Sequence, residues 1–415
     1  MSPAARGAIA RHRHLLGLTG GLLGSAALLA GCGGGDPAAR QPADLKGGVP
    51  VGAVLALTGN ANVYGQDQRV GLTLALEAAN GRGGVGGKPV RLSLEDGGSD
   101  DPGASAAMTL QINRGMLAII GPTLSQQAFA ADPIAQRRGV PVVAPSNTAT
   151  GIPQIGHFIS RVSAQSSVIA PLSIARALQL QPSIRRAAVF YAQDDAYSTA
   201  ETTIFQKALR DRGLKPVTVQ RTQLADNDFQ SQISATLALR PDLIVLSLQA
   251  VDGGNLVRQL RELGYRGTIV VGNGMNTPNI YPICQKYCDG LLIAQAYSPE
   301  LDTATNRAFV QAFRANQARS GRGPAIPPQL TAQAYTALQV IVEALQRLEA
   351  RAPIAGRPLA EVRRDLMDEI LAGTYQTPLG EIRFTPDGEV VQKDFFVAKV
   401  SMNPDGRSGR FALLP

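Results

Sequence analysis

Val49 to Leu57 reads VPVGAVLAL, Gln66 to Asn80 reads QDQRVGLTLALEAAN, and Val90 to Glu95 reads VRLSLE. The first is an apolar run of strand length. The second puts Val70, Leu74 and Ala78 on one helical face, and the third is a strand again. A strand, a helix and a strand joined by short connections make a parallel βαβ unit. The alternation continues along the chain. Pro102 to Arg114 is expected to be a helix, with Asp101 as N-cap and Pro102 at its first position. Leu117 to Gly121 is a strand, a helix opens at Ser125, and Val140 to Ala144 is a further strand.

A second series follows, with helices at 166–180, 199–212, 229–239 and 254–263. Strands are expected at 187–191, 217–221, 243–248, 268–271 and 291–294. The fold class is therefore α/β, with two similar halves. Leu330 to Leu348 is a long amphipathic helix, its Ala334, Leu338, Ile341, Leu345 and Leu348 spaced 4, 3, 4, 3. Helices around Phe309 and Phe313 and at 359–371 flank it. Strands at 382–384 and 394–400 end the chain. The apolar stripe must cover a sheet, so the chain is expected to return to the first half and end in the second. Two doubly wound parallel-sheet lobes joined by crossing strands leave a cleft at strand C-terminal ends, where a small ligand would sit.

The chain has 415 residues, 44% apolar and 17% charged, which excludes a disordered chain. The net charge of +8 comes from 40 basic and 32 acidic residues. Arg6, Arg11 and Arg13 lie in the first 31 residues; without that segment the balance is 37 against 32, or +5. No basic run with interleaved aromatics remains, so nucleic acid is not an expected partner.

Those first residues have a purpose of their own. Met1 to His14 is a positive region, and Leu15 to Ala30 (LLGLTGGLLGSAALLA) is apolar but short for a membrane span. Leu29-Ala30-Gly31-Cys32 matches a bacterial lipobox, with cleavage before Cys32 and lipidation of its thiol. Residues 1–31 are thus read as a lipoprotein signal peptide and 32–47 as a flexible tether. Lipidation of Cys32 leaves Cys284 and Cys288, an even number in an exported protein, spaced so that a disulfide is possible. A lone mature histidine, His157, and the lack of a second Cys pair exclude zinc chemistry and leave no plausible triad. No metal and no cofactor are expected, and the chain is not expected to be an enzyme.

Asn80 to Lys88 (NGRGGVGGK) fits G-x-G-x-x-G at Gly81, Gly83 and Gly86, but it follows a helix and precedes a strand. A dinucleotide fingerprint needs the reverse order, so this is a turn. Gly121-Pro122-Thr123-Leu124-Ser125-Gln126 joins a strand to a helix whose free N–H groups suit an anion. Ala144-Pro145-Ser146-Asn147-Thr148 ends the next strand and should face the same cleft.

Taken in order, Gly59-x-x-x-x-Tyr64-Gly65, Asn80–Gly87, Asp100-Asp101-Pro102, Gly121-Pro122-x-x-Ser125, Pro145-Ser146-x-Thr148 and Asp195-x-Tyr197 resemble one family. It is the leucine/isoleucine/valine-binding, type I periplasmic binding proteins of ABC importers, and the resemblance runs from about Gly48 to Val400. It implies the type I periplasmic-binding-protein fold. Lobe 1 would hold 48–162 and 298–389; lobe 2 would hold 163–297 and 390–405. It implies that Ser125 and neighbouring N–H groups hold a ligand carboxylate, with Leu124, the Thr148 hydroxyl and the Ser146 carbonyl alongside. Tyr197 would close over the ligand and Tyr64 would line the first wall. The family's aromatic corresponds to Gln249, and its ammonium-binding acid to Asn273 or Gly274, neither of which is charged. That departure leaves three alternatives: an uncharged amide, a carboxylate without an amine, or another acid such as Asp252 in the missing role.

The function implied is the solute-binding component of an ABC importer for a branched-chain amino acid or related small amide or carboxylate. Its expected partners are that ligand, the permease subunits and, through the lipid anchor, the membrane. It would act as a monomer outside the cytoplasm. A ligand-sensing lipoprotein of the same fold, signalling to a receptor or envelope enzyme, is the alternative.

Overall fold

The computed structural model describes residues 41–321 and 325–415. The signal peptide, Cys32 and the tether up to residue 40 lie outside the described residues. Gln41 to Gly47, expected as tether, is packed down. Ala43 and Leu45 are buried, the Ala43 N–H donates to Arg357 O at 2.8 Å, and the Leu359 N–H donates to Gln41 O at 2.8 Å.

The first sheet contains β1 (Val49–Leu55), β2 (Val90–Asp96), β3 (Ile119–Ile120), β4 (Val142–Ala144) and β5 (Ile159–Arg161). All are parallel, in the order β2-β1-β3-β4-β5. Helices α1 (Asn62–Gly81), α2 (Asp101–Asn113) and α3 (Ser125–Arg137) connect them. The N-cap of α2 is Asp100, one residue before the expected Asp101: its side chain accepts from the Gly103 N–H at 2.8 Å.

Helix α4 (Ser166–Leu180) leads into the second sheet. Its parallel core is β6 (Ala187–Ala192), β7 (Thr218–Thr222), β8 (Leu243–Ser247), β9 (Thr268–Val271) and β10 (Leu292–Gln295). Helices α5 (Ala196–Arg210), α6 (Gln230–Ala238) and α7 (Ala250–Glu262) connect the first four of these, and the short α8 (Tyr281–Cys284) precedes β10. The chain then forms α9 (Ala304–Arg319), α10 (Gln329–Arg351) and α11 (Leu359–Ala372). After these, β11 (Thr374–Thr377), β12 (Gly380–Phe384) and β13 (Val390–Gln392) make a small antiparallel sheet. Finally β14 (Phe396–Met402) and β15 (Gly409–Leu413) add to the second sheet, giving the order β15-β14-β10-β9-β8-β6-β7. Sequence patterning did not reveal β5, β11, β13 and β15, each of which has five residues or fewer.

Helix α10 covers the first sheet, as its stripe requires: Ala334, Leu338, Ile341, Leu345 and Leu348 all belong to the core that contains β1. It lies close against α1. A Cβ on Gly71 would meet Thr331 O at 2.2 Å, so only glycine permits this approach. The Thr331 hydroxyl donates to Asp67 O at 3.0 Å. These contacts fix the N-terminus of α10 at the mouth between the lobes.

In the first sheet the order reverses at β1, between β2 and β3; in the second it reverses at β6, between β7 and β8. Such switch points open a crevice at strand C-terminal ends. Cys284 and Cys288, away from these ends, are joined as a disulfide with Cα atoms 5.3 Å apart.

Candidate functional site

Both crevices face one cavity, with about 360 Å³ of space not filled by atoms. Tyr64, Leu124, Ser125, Ser146, Thr148, Tyr197, Gln249 and Asn273 all line it. The structure thus brings all eight expected residues together. Gly274, the alternative to Asn273 in the sequence reading, completes the wall with Thr123 and Leu330, which sequence reading did not single out. Thr123 and Gly274 are direct neighbours of expected residues. Leu330 opens α10, and only the closure of α10 on α1 brings it here.

The first wall is made by the loops after β3 and β4. Gln68 is fully buried and joins them: its Oε1 accepts from the Thr123 hydroxyl at 2.6 Å and its Nε2 donates to Ser146 Oγ at 2.7 Å. The Ser146 hydroxyl donates to Thr123 O at 2.6 Å, so its proton is spent inside the wall. Ser125 is placed differently. Its Oγ accepts from the N–H groups of Thr148 and Ala149, at 3.2 and 3.3 Å. With both lone pairs engaged, the hydroxyl proton is left to donate into the cavity. Ser125 also opens α3, whose first-turn N–H groups lack intrahelical partners and carry the positive end of the dipole. The Thr148 loop is held from behind. Arg161, fully buried, donates through Nη1 to Asn147 O and Ala149 O, and grips Glu389 with two bonds of 2.8 Å.

The second wall is made by the loops after β6, β8 and β9. The Tyr197 hydroxyl donates to Glu201 Oε2 at 2.5 Å and accepts from the Gly274 N–H at 2.6 Å. Glu201 also accepts from the Asn273 N–H at 3.1 Å and the Ser247 hydroxyl at 2.9 Å. Burial pushes its carboxyl up to about 7, against the opposing effect of these hydrogen bonds. A Cβ on Gly272 would lie 1.8 Å from Glu201 Oε2. The acid beside the Gly272–Asn273 turn is therefore Glu201, one helical turn beyond Tyr197 on α5. The i, i+4 pairing of Tyr197 and Glu201 was the available sequence signal.

Asp252, the alternative acid, is set apart from this turn. It lies in α7 outside the cavity lining, and burial raises its carboxyl well above the usual range. Gln249 donates to Asp195 Oδ2 at 3.1 Å, and Asn273 Oδ1 accepts from the Gln329 amide at 3.0 Å. Tyr64 crosses from the first lobe. Its hydroxyl donates to Gly274 O and accepts from the Ala250 N–H, each at 2.6 Å.

His157 is remote, paired on the surface with Asp368 at 3.1 Å. Among the described residues no cluster of His, Cys, Asp and Glu could hold a metal ion, and no helix is long and apolar enough to cross a membrane.

A family model described as periplasmic binding protein matches residues 48–407. A leucine-, isoleucine-, valine-, threonine- and alanine-binding protein of Pseudomonas aeruginosa is 26% identical over 343 residues, covering 82% of this chain and 87% of its own. A leucine binding protein, LivK, from Thermotoga maritima superposes with a TM-score of 0.77 at 25% identity, over 88% of this chain and 98% of that one. A solute binding protein of an ABC transporter from R. palustris, in complex with benzoate, superposes with a TM-score of 0.75 at 20% identity, over 88% and 96%.

Proposed function

The chain belongs to the periplasmic binding protein family, and from that premise we propose that it captures a small apolar carboxylate and delivers it to an ABC importer. The family fixes the coarser role: a solute-binding protein that works outside the cytoplasm and is not an enzyme. The ligand class rests on one observation. No charged side chain lines the cavity, while one wall offers a donor set and the other offers saturated tyrosines.

The Ser125 proton, the first N–H groups of α3 and the Thr148 hydroxyl suit a carboxylate, each charge-assisted bond contributing roughly 1.5–3 kcal/mol. Tyr64 and Tyr197 have spent their protons on the protein, so they present mainly ring surface. With Leu124 and Leu330 they suit an aromatic or branched aliphatic body. An ammonium would lie there without a lining counter-charge, at a desolvation cost. The benzoate complex of the R. palustris relative supports this class.

A branched-chain amino acid is the second reading. Glu201 favours it, because its carboxyl lies one hydroxyl behind the cavity wall and an ammonium there would draw it toward the charged form. The P. aeruginosa relative supports it too.

Ligand touches both walls only when the lobes are closed, so binding shifts the population toward that form. Residues 48–162 and 298–389 would form one lobe and 163–297 and 390–405 the other. Residues 1–31 would be removed, and Cys32 would anchor the monomer to the membrane through lipid.

A thermal-shift screen tests the ligand class, since a ligand raises melting temperature in proportion to its binding free energy. Benzoate and 4-methylpentanoate are expected to stabilise the protein, and leucinamide is not. Stabilisation by leucine with no response to either acid would overturn the carboxylate reading in favour of the amino acid.

A further inference from the structure

A larger cavity, about 1840 Å³ and open to solvent, lies beside the first. Gln329 lines it and reaches Asn273 on the wall of the smaller one, so one hydrogen bond stands between the two. Both lobes contribute. Arg69 comes from α1, and Arg407, Arg410 and Phe411 come from the hairpin of β14 and β15.

Three features of its lining need a guest. First, among the described residues none of the three guanidinium groups has a carboxylate within ion-pair distance. The one acid in the lining is Asp67, whose Oδ2 accepts from the Thr277 hydroxyl at 3.3 Å and the Asn279 amide at 3.2 Å. Cations from opposite lobes therefore face a shared space, which opposes closure. Second, Asn276, Tyr281 and Tyr297 line the cavity and are at most 4% exposed. Asn276 Nδ2 and both tyrosine hydroxyls are donors without a hydrogen-bond partner, buried behind the lining, so a guest would reach them through a side-chain shift. Third, the Tyr281 and Phe411 rings pack against each other with centroids 5.6 Å apart and planes tilted by 43°, giving an aromatic, apolar stretch of wall.

We propose that this cavity is a second ligand site, for an organic anion with a flat apolar body, and that its occupancy favours the closed lobes. The anion would neutralise Arg69 on one lobe and Arg407 and Arg410 on the other only when the two approach. It would thereby raise affinity at the first site, and ligand at the first site would raise affinity here by the same factor.

The probe is 8-anilinonaphthalene-1-sulfonate, a flat anion whose fluorescence reports an apolar site. Titration of the full chain is expected to give one saturable site. Arg69→Gln, and Arg407→Gln with Arg410→Gln, should each weaken it by roughly tenfold, the size of one charge-assisted bond. These arginines are exposed, so the variants should fold, and matching circular-dichroism melting curves confirm it. A Ser125→Ala, Thr148→Ala variant should bind the dye as before. Dye affinity indifferent to all three arginines, or dye binding lost with Ser125 and Thr148, would overturn the second site.

Discussion

The hydroxyl of Tyr64 donates to the carbonyl of Gly274 at 2.6 Å, across the cleft and 210 residues along the chain. The same oxygen accepts from the Ala250 N–H at 2.6 Å. One side chain of the first lobe thus satisfies two backbone groups of the second, and it does so only when the lobes are together. Removing that hydroxyl costs the closed form two hydrogen bonds of about 1 kcal/mol each, while the open form can use water. Tyr64→Phe is expected to enlarge the ligand-free protein in solution scattering and to weaken ligand binding by roughly tenfold. Unchanged scattering would show that Tyr64 does not latch the lobes.

Ser125 Oγ accepts from the Thr148 and Ala149 N–H groups, and under the proposed function its proton goes to the ligand. Ser125→Ala should weaken carboxylate binding by at least about tenfold, and Thr148→Ala by several-fold, in calorimetry. Affinity unchanged in both variants would mean that the carboxylate sits elsewhere.

Burial holds Glu201 up to about 7 and Asp195 up to about 6, from 4.5 and 3.8. Between those limits the folded chain keeps protons that the unfolded chain releases. The contribution of these two groups to stability therefore falls as pH rises from about 4 to about 7 and levels off above. Glu201 accounts for a loss on the order of 3 kcal/mol over that window. The melting temperature should drop across it, and Glu201→Gln should make the drop shallower. An unaltered pH profile in the variant would show that Glu201 does not hold its proton in the fold.

Arg161 and Glu389 form a buried pair that also supports the Thr148 loop. Glu389→Gln leaves the guanidinium buried without its counter-charge. A loss of about 3 kcal/mol is expected in urea denaturation. Ligand affinity should fall with it, because Asn147 and Ala149 lose a rigid support.

Cys32→Ser should release the protein from membranes in cell fractionation. Continued labelling of that variant by radioactive palmitate would contradict lipid attachment at Cys32.

How much of this was legible beforehand follows from the range of each interaction. The alternation of strand and helix depends on neighbours a few residues apart, so β1, α1 and β2 could be read from 49–95, and α10 from its stripe. Loops at strand C-terminal ends followed from the same alternation, which is why the segments holding Ser125, Ser146 and Thr148 could be placed at the cleft; Tyr197 came from the family resemblance. The N-cap of α2 was missed by one residue, because Asp100 and Asp101 are equally good caps and only backbone geometry chooses between them.

What the amino-acid order determined alone was periodicity: two α/β halves and the loops at their strand ends. What only the tertiary structure decided was which side chains spend their polar groups on one another. Glu201 fills the space beside Gly272, Tyr197 is saturated by Glu201 and Gly274, Tyr64 by Gly274 and Ala250, and Leu330 closes the cavity. These partners lie tens to hundreds of residues apart. Their meeting depends on sheet order and lobe closure, which no local pattern encodes, and it leaves the cavity lining without charge.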